Sequence, residues 1–317
     1  MSAILFDRDQ VDQLDDLSDR PSRLSGSKLL WIDLHEGSEF TAHEVAEELD
    51  LHDETRQCLA TPNDRACFND HGRYIHLTTY APREDEESEL HAVECVVGQN
   101  WVVTAHDRPI PVLEEFAARV SGSGDTGSLD GPSFLAALLE WVLGAYTAAF
   151  ERVEERLEEF DVQAMRGQGD DRDIELLVDM RLEVGKLRRA LAAHRSALVA
   201  LTHPELEALG SKGSGERFES LFTRFEATLQ EARDAREAIV GSFDVLIARG
   251  GHHTNQIMKV LTLTSVILLP GALLAGVMGM NFKVGLFDNA SLFWVVVAVI
   301  VAVAPVTFGI AKKRGWI

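Results

Sequence analysis

Two runs of twenty residues, 260–279 and 291–310, contain no Asp, Glu, Lys or Arg. Each is long enough to cross a hydrocarbon layer of about 30 Å as a helix. This constrains the chain more than any other feature, because everything else must hang on a membrane hairpin. The near-zero mean hydropathy is an average over a charged N-terminal part and an apolar C-terminal part. Pro270 and Pro305 fall inside the runs, which membrane helices tolerate when neighbours satisfy the freed carbonyls. Lys259 precedes the first run, Lys312, Lys313 and Arg314 follow the second, and the loop between them sets Lys283 against Asp288. The excess of basic residues at the two outer ends predicts both termini in the cytoplasm and a multi-pass protein of the cell (inner) membrane. Residues 1–10 show no basic stretch followed by an apolar one, so no cleaved signal is expected.

The rest of the chain divides by composition. Residues 1–27, rich in Asp, Ser and Arg with one apolar cluster at Ile4 to Phe6, read as a mobile N-terminal arm. Residues 28–121 read as an α/β domain. A buried strand is expected at Leu29 to Leu34, a helix after the capping box of Thr41 and Glu44, a strand at Tyr74 to Tyr80, and a hairpin joining 92–97 to 101–105. A Gly- and Ser-rich stretch between Ser121 and Gly131 marks a boundary. Residues 132–258 read as a helical stalk, with helices at 132–165 and 171–201 and a long one starting near Glu216. Without an interruption, 216–281 would be a helix of about 100 Å. The first membrane helix is placed at 259–281, an external loop at 282–290, the second membrane helix at 291–311 and a basic tail at 312–317.

A formal charge of −21 repels phosphate backbones, and no basic stripe offers a nucleic-acid surface. Cys58, Cys67 and Cys95 have no CxxC spacing, so neither a disulfide framework nor a thiolate zinc site is suggested. No P-loop, HExxH motif, GxSxG elbow or paired catalytic carboxylates point to an enzyme. His252 and His253 are adjacent, and side chains about 100° apart on a helix read as non-ligands.

The stretch Asn255-Gln256-Ile257-Met258-Lys259-Val260-Leu261-Thr262, then Leu269-Pro270, Gly279-Met280-Asn281-Phe282 and the tail Lys312 to Ile317 resemble the CorA family of divalent cation channels, which includes ZntB-type zinc transporters. A Gly-Met-Asn tripeptide alone is common. Behind a long stalk and at the end of the first of two C-terminal membrane helices it is specific, and the resemblance covers residues 28–317. It implies an α/β cytoplasmic domain, a long-helix stalk and two C-terminal transmembrane helices, assembled into a funnel-shaped homopentamer in the lipid bilayer. Two helices per chain cannot enclose a pore, so conduction needs such an oligomer.

By the resemblance, Gly279, Met280 and Asn281 form the outer selectivity filter, and the first membrane helix lines the pore. Asn255, Met258, Leu261, Ser265, Leu269, Ala272 and Gly276 are then pore or gate residues, with Asp244 an acidic ring further in. These positions recur mostly three or four apart, on one helical face. Asn281 amide oxygens suit a hydrated magnesium ion, and Met258, Leu261 and Leu269 suit apolar constrictions. Magnesium-sensing members hold a regulatory ion between subunits, a role open here to Glu84, Asp85, Glu86 and Glu87. The chain departs from the family in its external loop, where Phe282-Lys283-Val284-Gly285 replaces an acidic Met-Pro-Glu-Leu-like segment. Passive magnesium uptake is the first expectation. ZntB-like transport of zinc, cobalt or nickel, coupled to protons or not, is the alternative, and a membrane-anchored sensor or scaffold is the alternative of another class.

Overall fold

The computed structural model describes residues 3–7, 10–14, 28–36, 38, 40–62, 66–83, 89–122, 130–165, 172–203, 214–280 and 290–314. Contacts divide the chain into two compact units, Met1–Ser242 and Phe243–Ile317.

The first unit is built on a seven-stranded sheet. Its strands are β1 (Ala3–Asp7), β2 (Gln10–Gln13), β3 (Lys28–Leu34), β4 (Phe68–Asp70), β5 (Ile75–Pro82), β6 (Leu90–Val97) and β7 (Trp101–Ala105). The spatial order is β2-β1-β3-β7-β6-β5-β4. Among the described strands only β3 and β7 pair in parallel, with Leu30 opposite Trp101 and Leu34 opposite Ala105. Both are buried on two faces, which is why they read as nearly continuous apolar runs rather than as alternating ones. The hairpin expected between 92–97 and 101–105 forms, with Val97 opposite Val102.

Helices cover both faces. On one side lie α1 (Ala42–Glu48) and α2 (Asp53–Ala60). The capping box starts α1 as read: the Glu44 N–H donates to Thr41 Oγ1 at 3.2 Å, and the Thr41 N–H donates to Glu44 Oε2 at 2.8 Å. Leu30, Ile32, Val45, Leu59, Tyr74, Val96 and Val103 make the core on this side. On the other side lie α3 (Pro111–Gly122) and α4 (Gly131–Met165). There Trp31 packs against Phe116 and Phe134, ring centroids 5.9 and 5.2 Å away, and its indole N–H donates to Thr104 Oγ1 at 3.0 Å.

Three expectations change. The first concerns the arm at 1–27, because Ala3–Asp7 is a strand inside the sheet, paired antiparallel with β3 (Ile4 opposite Trp31). The cluster Ile4-Leu5-Phe6 is apolar on both faces, and only a sheet interior accepts that. The second concerns the boundary near Ser121 to Gly131, which separates no compact units: α4 packs straight back onto β5, β6 and β7. The Gly131 N–H donates to the Gln99 carbonyl at 2.8 Å, and the Asp130 carboxylate caps the helix by accepting from the Ser133 N–H at 2.9 Å. The third concerns the helix expected at 171–201, which is two: α5 (Arg172–Ala193) and α6 (Arg195–Leu201), broken at His194.

His194 is where the helices grip the sheet. The Tyr80 N–H donates to its Nε2 at 2.7 Å, and the Thr79 hydroxyl lies 3.2 Å from the same atom. The ring must therefore keep Nε2 unprotonated. Burial lowers its pKa from 6.5 to about 4.

Helix α4 is itself long and apolar enough to span a bilayer, yet 61% of its most apolar window is buried within the chain. It is a core helix. The remaining helices are α7 (Ser214–Met278), within which the two units meet in sequence, and α8 (Ala290–Lys313).

The glycine packing and the His194 anchor each have an expected outcome. A Cβ at Gly131 would sit 2.1 Å from the Gly98 carbonyl oxygen, a backbone atom that cannot yield cheaply. Gly131→Ala should therefore cost about 1–3 kcal/mol in denaturant unfolding. Gly185→Ala, where the nearest atom is a flexible Arg189 end at 3.5 Å, should stabilise by about 0.5–1 kcal/mol. For His194, the unfolded chain takes up a proton near pH 6.5 and the folded chain only near pH 4. Stability is thus full above pH 6.5 and lost as pH falls, by about 3 kcal/mol once below pH 4. His194→Gln keeps an acceptor for Tyr80, and should flatten this part of the melting-temperature profile against pH.

Candidate functional site

Within the second unit, α7 and α8 pack as an antiparallel pair. Gly271 lies against Ile300, its would-be Cβ 3.4 Å from Ile300 Cγ2. Thr262, Leu263 and Val266 share a cleft of about 230 Å³ with Thr307, Ile310, Ala311 and Arg314. The half-buried positions of α8 are Val296, Val297, Ile300, Val303, Ala304 and Thr307, with Ala311 buried, and the seam runs along this side of the helix. Running the helices in opposite directions brings Lys259 and the cluster Lys312, Lys313 and Arg314 to the same end of the pair.

The seam on α7 is equally regular. Leu263, Ile267, Gly271, Leu274 and Met278 are half-buried, and at roughly 100° per residue they centre on one direction. By the same count, Asp244, Asn255, Met258, Leu261, Ser265, Leu269, Ala272 and Gly276 fall within an arc of about 120°, centred about 180° away from that seam. All but Ser265 are exposed in the single chain, Leu261 by 58% and Leu269 by 66%. The structure thus brings the predicted stripe together and leaves it uncovered, on the face that α8 does not use. Met258, an apolar side chain 53% exposed, needs either lipid or another protein surface.

Polar groups on this helix are turned inward along its own axis. The Ser265 hydroxyl donates to the Leu261 carbonyl and the Thr264 hydroxyl to the Val260 carbonyl, each at 2.8 Å. Pro270 cannot donate to Val266, so this stretch of helix lacks one rung. At its end the Gly279 N–H donates to the Ala275 carbonyl at 2.9 Å and the Met280 N–H to Val277 at 3.2 Å, and both residues are exposed. A Cβ on Gly279 would meet the Ala275 and Gly276 oxygens at 3.3 and 3.5 Å, so a small residue suits the exit from the helix. Asn281, the expected filter amide, lies outside the described residues, as do Lys283 and the acidic run Glu84, Asp85, Glu86 and Glu87 between β5 and β6.

Comparison with known proteins bears on this arrangement. The family of CorA-like Mg2+ transporter proteins matches residues 26–313. The cobalt/magnesium transport protein CorA of Methanocaldococcus jannaschii is 23% identical over 297 residues, 92% of each chain. The complete structure of the CorA magnesium transporter from the same organism superposes with a TM-score of 0.83 at 22% identity, over 100% of this chain and 99% of that one. The ZntB cytoplasmic domain from Vibrio parahaemolyticus superposes at 0.62 and 13% identity, over 80% of this chain and 100% of that one. An α/β unit followed by a long helix and an apolar antiparallel pair is the fold shared with the complete Methanocaldococcus jannaschii structure, and the family matched over residues 26–313 is one of divalent-cation transporters. The chain belongs to the CorA-like Mg2+ transporter family.

The two glycines of α7 separate its two faces experimentally. Gly271→Leu should lower the melting temperature of the purified protein, because the new side chain must displace Ile300. Gly276→Leu, with no described atom within 4 Å of its Cβ, should leave the α7–α8 packing intact.

Proposed function

We propose that the chain forms a homopentameric channel for passive, potential-driven uptake of hydrated magnesium across the cell membrane, with both termini in the cytoplasm. The observation that carries this reading is the uncovered stripe from Asp244 to Gly276, which faces away from α8. Five such stripes around one axis would bury their exposed apolar side chains against a narrow water column rather than against lipid. The basic residues gathered at one end of the helix pair support placing that end in the cytoplasm.

Roles then follow from chemistry. Magnesium binds oxygen and gives up its water reluctantly, so a ring of Asn281 amides at the outer mouth would grip the hydrated ion through its waters. Carboxylates in that place would hold it too tightly to let it leave. Gly279 and Met280 carry the backbone to that ring without side-chain bulk at the first position. Met258, Leu261 and Leu269 are constrictions that dewet when closed, and Ala272, Gly276 and Ser265 keep the column open between them. Asn255 and Asp244 supply oxygen on the inner side. Glu84, Asp85, Glu86 and Glu87 would hold a regulatory magnesium between subunits, whose loss releases the closed state.

The departure at Lys283 favours one second reading, zinc movement coupled to protons, with cobalt or nickel as further cargo. A cation beside the mouth lowers the local concentration of divalent ions, which a driven process tolerates better than a passive one. Both readings meet in one experiment on the protein in liposomes. Asn281→Ala should reduce magnesium influx by about tenfold or more, and a pH gradient should leave the wild-type flux unchanged. Unaltered magnesium influx in the variant removes the filter assignment. Zinc flux that appears only with a pH gradient replaces the channel by the coupled transporter, and no flux of any divalent ion leaves an anchored sensor.

A further inference from the structure

The α/β unit holds a set of donors that magnesium would not choose. Cys67, just ahead of β4, His76 on β5 and Glu94 on β6 place one ligand atom each within 4.8 Å of the other two. His76 and Glu94 are fully buried and Cys67 is partly exposed, so the set opens to solvent at the thiol. Strand register explains the meeting: Thr78 stands opposite Glu94 and His76 opposite Val96, so His76 and Thr78 share the face towards which Glu94 projects. The Thr78 hydroxyl links the set, lying 3.0 Å from Cys67 Sγ and donating to Glu94 Oε2 at 3.0 Å. His76 Nε2 is 2.9 Å from the same carboxylate oxygen.

We propose that Cys67, His76 and Glu94 bind a zinc ion, at a site separate from the conduction path. Thiolate, imidazole and carboxylate are a zinc ligand set, with cobalt and nickel behind it, whereas magnesium prefers oxygen alone. Tetrahedral zinc, at about 2.0–2.3 Å from its ligands, holds them roughly 3.3–3.7 Å apart. The present separations need adjustments of tenths of an ångström to about one ångström to reach that. Charge also balances: a dication, a thiolate, a carboxylate and a neutral imidazole sum to zero, which a buried pocket requires. The Cys67 thiol gives up its proton to solvent on binding. Three protein ligands leave the fourth position to water, and Thr78 stays behind to orient the Glu94 carboxylate.

His76 Nδ1 is buried with no hydrogen-bond partner among the described residues. Nε2 is the nitrogen that faces the Glu94 carboxylate, so a metal held there would leave Nδ1 to carry the ring proton and would break no bond that Nδ1 makes.

Cobalt titration of the full-length protein in detergent tests this without reference to transport. A thiolate ligand gives cobalt an intense near-ultraviolet charge-transfer band, which the oxygen groups of the pore cannot produce. The band should appear in the wild type, in Cys58→Ser and in Cys95→Ser, be displaced by zinc, persist in excess magnesium, and vanish in Cys67→Ser. Zinc affinity measured against a chromophoric chelator should fall more than about 100-fold in His76→Ala, beyond what second-shell changes cost. Absence of the band in the wild type overturns the proposal whether or not any variant folds. So does a band that survives Cys67→Ser or depends on Cys58. Asn281→Ala should leave the band unchanged, so failure here and failure of the pore reading are told apart.

Discussion

A pair of membrane helices can satisfy its own backbone, but each partner can cover only one face of the other. In this chain that limit decides the geometry of the site. The α8 seam takes the side of α7 marked by Leu263, Ile267, Gly271, Leu274 and Met278. Whatever lies opposite must find lipid or another protein surface. The composition of the opposite face separates those options. A lipid-facing stripe would be large and apolar throughout, whereas this one alternates Leu and Met with Ser, Ala, Gly and Asn. Small and amide side chains gain little from lipid tails, and the proposed pore axis is the surface that such a composition suits. The choice of Gly271 at the α8 contact thus has a consequence on the far side of the helix, because it fixes the rotation of α7.

The α/β unit solves a different problem, that of anchoring long helices to a sheet. Two polar contacts stand within the apolar packing of α4 on the sheet. At one, Gly131 brings the start of α4 against the β6–β7 turn at a spacing that no side chain would allow. At the other, His194 interrupts the helical run to receive the Tyr80 N–H, and the neighbouring Tyr146 hydroxyl donates to the Tyr80 carbonyl at 3.0 Å. One residue of β5 is therefore held by both its backbone groups. On the other face of that strand stand His76 and Thr78, so the proposed zinc ligands and the helix anchor share a single strand.

Local signals in the chain were legible where they rest on one element. The capping box at Thr41 and Glu44, the β6–β7 hairpin and the span of α4 each follow from periodicity or turn chemistry, and each appears in the structure. Features set by tertiary context were not. Ile4 to Phe6 is too short a cluster to announce a strand, and its partner Trp31 lies far along the chain. His194 breaks a helix without Gly or Pro because a buried amide needs an acceptor, a demand made by β5. Cysteine spacing concealed the cluster at Cys67, because its companions are a histidine and a glutamate brought by strand register. The visible trace is His76 and Thr78 on alternate positions of β5, with Glu94 inside the apolar run of β6. The filter amide at Asn281 and the acidic run at Glu84 to Glu87 stand on resemblance and chemistry, outside the described residues.

The burial of α4 has a consequence for how such a chain is made. Its apolar stretch is long enough to be mistaken for a membrane segment by the machinery that inserts the later helices. Synthesis proceeds from the N-terminus, and domains tend to fold as they emerge. All seven strands, β1 to β7, precede α4 in the chain. When α4 leaves the ribosome, every strand of the sheet that receives Phe134, Leu138 and Val142 has already been synthesised, so chain order offers this core helix a protein surface before it offers a bilayer.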